Sequence, residues 1–175
     1  MKLYGKIYLL LFFIFFTLKS MNSQTYAEKS EEEKVLSGET LDPTILASFG
    51  LTTTINPRNA EITGNSVFLR QIGELNEVNV LTNTQSSEIN ITQNGDYNKT
   101  DLRYSAKTAV SEIFQNGDYN KIQDFVNDPT QDISLDLLQE GDYLNFERQG
   151  VNELTKSLKF KQTQASPSII IRSFN

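Results

Sequence analysis

Gln93-Asn-Gly95-Asp-Tyr-Asn98 and Gln115-Asn-Gly117-Asp-Tyr-Asn120 are the same six residues, and their glutamines stand 22 positions apart. Working outward, the frame Gln-x-Gly-x-x-Asn is found another 22 residues upstream as Gln71-Ile-Gly73-Glu-Leu-Asn76. A looser copy, Gln139-Glu-Gly141-Asp-Tyr143-Leu-Asn145, follows 24 residues downstream. Recurrence at a fixed period of that size marks stacked structural units, so the repeat governs how every other residue is read.

Around each frame, apolar and polar residues alternate as they do in half-buried strands. Val67, Leu69 and Gln71 face one way, and Ile89, Ile91 and Gln93 repeat the arrangement one unit later. Ile113 and Gln115, then Ile133, Leu135, Leu137 and Gln139, continue the column. A second alternating stretch follows each turn: Asn76, Val78 and Val80; Asn98, Thr100, Leu102 and Tyr104; Asn120 and Ile122. Asn-Gly could make a two-residue hairpin, but independent hairpins do not require equivalent glutamines at constant spacing. Stacked arches do, because each side chain then lies over its equivalent about 4.8 Å away. Glutamine and asparagine amides can donate and accept along such a column, which satisfies buried polar groups that otherwise cost roughly 1–3 kcal/mol each. Glycine supplies the positive φ that the bend needs. The fold class expected is therefore all-β: a β-solenoid of strand-turn-strand (β-arch) repeats of about 22 residues over residues 61–175, with open edges at its ends. Glu88, Asn90, Lys99, Asp101 and Arg103 fall on the outward side.

Composition narrows the function. The chain has 175 residues, 38% hydrophobic, with formal charge −6 and no Cys, His or Trp; its mean hydropathy is −0.40 and its sequence pI about 4.7. Without a Lys/Arg cluster it lacks the basic face of a nucleic-acid binder. Without His or Cys it lacks the usual bases, thiol nucleophiles and zinc ligands, so no enzyme activity, catalytic residue or cofactor is assigned. Lys2 and Lys6 followed by the apolar run from Ile7 to Leu18 have the form of a secretory signal, residues 1–23, with cleavage after Ser23 and Ala27 as another site. The product is expected to be secreted. Residues 24–60, with Glu28 to Lys34 as a charged cluster and Gly38, Pro43, Gly50 and Pro57 as breakers, read as a low-order leader. Within it, Ile45 to Leu51 suits either a helical turn or a partial strand.

The frame Ser87-x5-Gln93-x-Gly95-x-x-Asn98 resembles the curlin repeat of bacterial curli amyloid subunits. The recurring Gln-x-Gly-Asp-Tyr and the end Lys159-Phe-Lys-Gln162-Thr-Gln164 look most like the minor, nucleating subunit. The resemblance covers residues 61–175. It implies a structural subunit of extracellular curli-like fibres that templates polymerisation and supports biofilm and adhesion. Its implied partners are a curli-like major subunit, further copies of itself, and an outer-membrane secretion pore with accessory factors. Carried over by position, the stacking ladder is Gln71, Gln93, Gln115 and Gln139 with Asn76, Asn98, Asn120 and Asn145, and the turn glycines are Gly73, Gly95, Gly117 and Gly141. The chain departs from the family where a second glutamine ladder would stand, since Thr82, Tyr104 and Val126 occupy those places. The fourth unit departs too: Leu144 reads as an insertion before Asn145, Gln149-Gly150-Val-Asn152 as a compressed half-repeat, and Pro129 as an edge or loop proline.

Other readings are weaker. Asp96, Asp118 and Asp142 each offer one carboxylate, so a plain turn is preferred to a calcium site and no metal is assigned. The triplets at Asn90 and Asn98 match the glycosylation pattern, a frequent accident in Asn/Thr-rich sequence. Lys156, Lys159, Lys161 and Arg172 suit either an acidic partner or a solubilising face. The functional alternative is a monomeric secreted β-solenoid adhesin that binds carbohydrate or a surface.

Overall fold

The structure, a computed structural model, describes residues 42–166 and 169–172; the expected signal, residues 1–23, and the charged cluster lie outside the described residues. Five strands, β1 (Asn65–Ile72), β2 (Thr84–Asn94), β4 (Ala106–Asn116), β6 (Asp128–Glu140) and β8 (Ser157–Thr163), form one parallel sheet in the order β1-β2-β4-β6-β8. Between them lie four two-residue strands, β3 (Asp101–Leu102), β5 (Gln123–Asp124), β7 (Phe146–Glu147) and β9 (Ile169–Ile170), on the opposing side. The pairings β3–β5 and β7–β9 are parallel as well. The fold is a β-solenoid of about five coils, each one repeat long.

Register follows the sequence period. Gln71 pairs with Gln93, Gln93 with Gln115, Gln115 with Gln139 and Gln139 with Gln162. The same register stacks Ile91, Ile113, Leu137 and Phe160 in one inward column and Ile89, Ser111, Leu135 and Leu158 in the next. All but Ser111 are apolar and all eight are buried, so alternation at period two packs the narrow core between the two sides. The 24-residue spacing of the fourth coil has a local cause. Ala106 pairs with Asp128 but Thr108 with Asp132, a bulge that takes up two extra residues. Pro129, expected as a linker residue, sits in that bulge inside β6. There its missing N–H interrupts no regular pairing.

The second side is less regular than its alternation suggests. Asp101 to Ser105 and Gln123 to Asn127 all have positive φ, a region that L-residues disfavour. Pairing on this side accordingly shrinks to pieces of two residues.

Residues 42–60 differ from the low-order leader expected. A short helix, α1 (Pro43–Ser48), is capped by Asp42, whose carboxylate accepts from the Thr44 N–H at 2.8 Å. Leu46 and Leu51 are buried in the core cluster. Thr52 then pairs antiparallel with Lys159 of β8 through two 2.8 Å hydrogen bonds. A 3-10 turn, Pro57–Ala60, runs along the flank: Asn59 Nδ2 donates to Thr108 Oγ1 and to the Ile133 carbonyl, and Arg58 pairs with Glu88. The segment thus passes from the β8 end to β1 across several coils. A few dispersed apolar anchors suffice to order it, which composition alone conceals.

Candidate functional site: a stacked amide ladder and its ends

In the first four coils the glutamine is the last inward residue of its strand, and the glycine two residues on makes the bend. Gln71 Nε2 donates to Gln93 Oε1 at 2.8 Å, Gln93 to Gln115 at 2.9 Å, Gln115 to Gln139 at 3.0 Å and Gln139 to Gln162 at 2.8 Å. Gln93, Gln115 and Gln139 are wholly buried. Thr100 ties into the middle of the ladder: Gln93 Nε2 donates to its Oγ1, which donates onward to Gln115 Oε1, both at 3.0 Å. All four donors point the same way, from the β1 end toward the β8 end, so the ladder has polarity.

The asparagines form a second, mixed ladder. Asn76, Asn98 and Asn120 donate through Nδ2 to the carbonyls of Gly95, Gly117 and Gly141 at 2.7–2.8 Å. Each Oδ1 accepts a backbone N–H from the next coil, those of Asn98, Asn120 and Leu144. Leu144, not Asn145, therefore occupies the asparagine slot of the fourth coil. It replaces the asparagine without an insertion, and Asn145 falls opposite Lys121 on the next step. Asn145 is thus excluded from the ladder, and its buried Oδ1 has no hydrogen-bond partner. The glutamine ladder for its part extends one rung further than expected, to Gln162 as a fifth glutamine. Nor does Gln149 to Asn152 continue the frame: Asn152 Oδ1 closes a turn by accepting from the Leu154 and Thr155 N–H groups at 3.0 Å.

The glycines are required by both conformation and space. Gly95 and Gly117 lie at φ 120° and 122°. A Cβ on Gly95 would run into the Gly117 carbonyl and lie 2.7 Å from Asp118 Oδ1. The aspartates that follow the glycines make a third ladder: the N–H groups of Glu74, Asp96 and Asp118 donate to the Oδ1 of Asp96, Asp118 and Asp142, each at 2.8 Å. The carboxylates of Asp96, Asp118 and Asp142 are thereby each committed to a backbone donor in the preceding coil. Among the described residues no cluster of metal-binding side chains is found.

Tyr97, Tyr119 and Tyr143 turn the corner at φ 57° and stack on the outside. Ring centroids are 4.7 and 4.9 Å apart with interplanar angles of 5° and 1°. Burial against the flanking rings raises the Tyr119 phenol above its ordinary pKa. Stacking offsets part of the left-handed corner's cost.

Where the second glutamine ladder is missing, the core holds an ion pair that the sequence reading did not find. Arg148 meets Asp124 through two hydrogen bonds, Nε–Oδ1 at 2.6 Å and Nη2–Oδ2 at 2.8 Å, and both side chains have no exposure. Arg148 Nη1 donates to the Ser134 and Thr155 carbonyls. Tyr104 donates to Asp124 Oδ2 at 3.2 Å and shares a 2.6 Å hydrogen bond with Ser111. Burial, reinforced by the Asp124 charge, drives the Tyr104 phenol far above its usual pKa. A signal existed: Asp124 and Arg148 are opposite charges at inward positions, separated by the 24-residue spacing of these coils.

The ends are unequal. Every residue of β1 is exposed, with Val67 at 52% and Leu69 at 44%, although their equivalents Ile89 and Ile91 are fully covered. Among the described residues nothing pairs with the outer side of β1. The outer side of β8, by contrast, carries the Thr52 bridge. Outward Lys99 and Arg103 form surface pairs with Glu77 and Asp101. Comparison with known protein families, with curated proteins and with solved structures finds no match for this chain.

Proposed function

We propose that this chain is a structural subunit of extracellular curli-like amyloid fibres, of the minor or nucleating kind, whose activity is to template β-arches. The observation that carries the reading is an amide ladder running without a break from Gln71 to Gln162 and ending at a strand edge that, among the described residues, is unpaired. An open parallel edge with its core columns exposed is a template for another strand. Export through an outer-membrane pore and a place in the biofilm matrix accompany this reading through the curlin resemblance. Thioflavin fluorescence and fibre diffraction on the mature chain test it. The expected result is cross-β polymer, or acceleration of a curlin-type major subunit by substoichiometric amounts of this chain. If neither appears at micromolar concentration, the reading is wrong. The alternative, a monomeric adhesin, draws on the exposed tyrosine stack, since flat aromatic faces suit sugar rings; loss of glycan binding in Tyr119→Ala without any polymer would favour it.

A further inference from the structure

The two ends of the solenoid differ in three independent ways, and together they specify what can add to it. The first is the cap. Leu46 and Leu51 enter the core cluster beside the last coil, Thr52 bonds the Lys159 backbone, and Ser157 Oγ donates to the Thr54 carbonyl at 2.6 Å. A strand approaching β8 meets this segment.

The second is the direction of the ladder. At the β8 end it finishes on a donor: Gln162 Nε2 gives one N–H across the core to the Asn145 carbonyl at 2.8 Å, as Gln93 and Gln139 do to the Glu77 and Lys121 carbonyls, and its second N–H has no further glutamine to meet among the described residues. At the β1 end Gln71 has used its Nε2 on Gln93, and among the described residues no donor reaches its Oε1. Continuing the repeat, the open end offers an incoming rung Gln71 Oε1, the Gly73 carbonyl and the Asn76 N–H. A glutamine amide, an asparagine Nδ2 and an asparagine Oδ1 complete these in order.

The third is steric. In the first three coils a Cβ on the turn glycine, Gly73, Gly95 or Gly117, would collide with the glycine carbonyl of the following coil. A rung laid on β1 therefore needs glycine over the Gly73 carbonyl. The fifth coil of this chain places Gln164 at that step, opposite Gly141, and Thr163 to Ser166 close a different turn there. The fifth coil does not fit β1.

We propose that the chain accepts a new rung at one end only, on β1, and that the occupant is a β-arch of another chain carrying an intact Gln-x-Gly-x-x-Asn frame, not the fifth coil of a second copy. This deepens the fibre reading, on which it rests, by naming the edge that templates and the strand it takes. A seed built this way initiates a polymer of a partner with regular repeats and does not elongate by stacking on itself.

The test uses the full mature chain and three photo-crosslinkable peptides: residues 84–98, the same peptide with Gly95→Ala, and residues 157–166. Crosslinked sites are mapped, and thioflavin signal from seeded major subunit is scored in parallel. The expected result is crosslinking of 84–98 to β1, at least about ten-fold above the other two peptides. Leu69→Pro should abolish it. Alternation of parallel bonding from Ser87 N→Gly64 O and Gly95 N→Ile72 O leaves the Leu69 N–H directed at the open edge, so proline removes no bond to β2. Leu46→Asp with Leu51→Asp should add crosslinks on β8. Crosslinking to β8 of the unaltered chain, equal labelling by all three peptides, or no labelling overturns the inference, and these outcomes do not rest on either variant folding. Seeding together with β8 labelling would leave the fibre reading standing while removing this one. Labelling of β1 without any seeding would do the reverse.

Discussion

Replacing Gln115 by leucine removes the centre of the amide ladder with little change of volume. Gln115 accepts from Gln93 Nε2 and Thr100 Oγ1 and donates to Gln139 Oε1. After the change Gln93 Nε2 keeps the Glu77 carbonyl and Thr100 Oγ1, each at 3.0 Å. Gln139 Oε1 loses its donor and the Thr100 O–H its acceptor, and both groups are inaccessible to water. Two buried orphans at about 1–3 kcal/mol each, less roughly 1 kcal/mol for the added apolar burial of leucine, give an expected loss of about 1–5 kcal/mol. Gln71→Leu orphans Gln93 Oε1 alone, one buried group instead of two, and on the same terms should cost about 0–2 kcal/mol. Urea unfolding followed by far-UV circular dichroism, at concentrations below assembly and with m-values shared across the variants, measures both. Equal losses for Gln115→Leu and Gln71→Leu, or a Gln115→Leu loss below about 0.5 kcal/mol, would refute the claim that buried amide stacking holds the coils together.

Three further outcomes follow from the same geometry. Arg148→Met strands the Asp124 carboxylate in the core and should cost about 3–5 kcal/mol, whereas Asp124→Leu with Arg148→Met should be less damaging than the sum of the single changes; strict additivity in a double-mutant cycle would argue against the pair. Because the buried Tyr104 phenol titrates far above an unfolded tyrosine, its contribution is fully present below about pH 10 and is lost as pH rises beyond it. Stability should therefore fall in alkali, and Tyr104→Phe should flatten that limb when unfolding midpoints are compared across pH. Gly117→Ala pushes a Cβ into the Gly141 carbonyl and within 2.8 Å of Asp142 Oδ1, while Gly50→Ala, also at positive φ, meets nothing within 4 Å; thermal melts should show a loss of about 1–2 kcal/mol at Gly50 and a clearly larger one at Gly117.

What the sequence makes legible is what the stack repeats. Gln71, Gln93, Gln115 and Gln139 announce themselves because each donates to a glutamine in the next coil, so one physical requirement is written several times. Leu144 shows where that reading slips. The asparagine Oδ1 needs only a backbone N–H from the next coil, which any non-proline residue supplies, and the terminal asparagine slot tolerates leucine. Asp124 and Arg148 satisfy one another once, with no periodic trace beyond their inward phase. The cap on β8 was hidden for a different reason: Ser157 and Thr54 are 103 residues apart, and such a contact leaves no pattern in local composition.

The frame is most faithful in the second and third coils and decays toward both ends, and the decay at the open end has a consequence for recognition. In the first coil Glu74 and Leu75 take the places of Asp and Tyr, so the tyrosine stack stops at Tyr97, and Leu75 stands 65% exposed in the slot beyond. An incoming arch therefore gains no ring-on-ring contact at the first rung. What β1 presents in the frame is Gln71, Gly73 and Asn76, groups whose satisfaction demands register and a missing Cβ more than it rewards apolar area. Apolar attraction from Val67 and Leu69 can hold a strand in several registers, each shifted by two residues. The amides and the glycine carbonyl discriminate between them, because a two-residue slip leaves Gln71 Oε1 unmatched and sets a side chain against Gly73. Selection by this edge thus lies in its polar atoms, while the exposed aliphatic residues supply adhesion without choice.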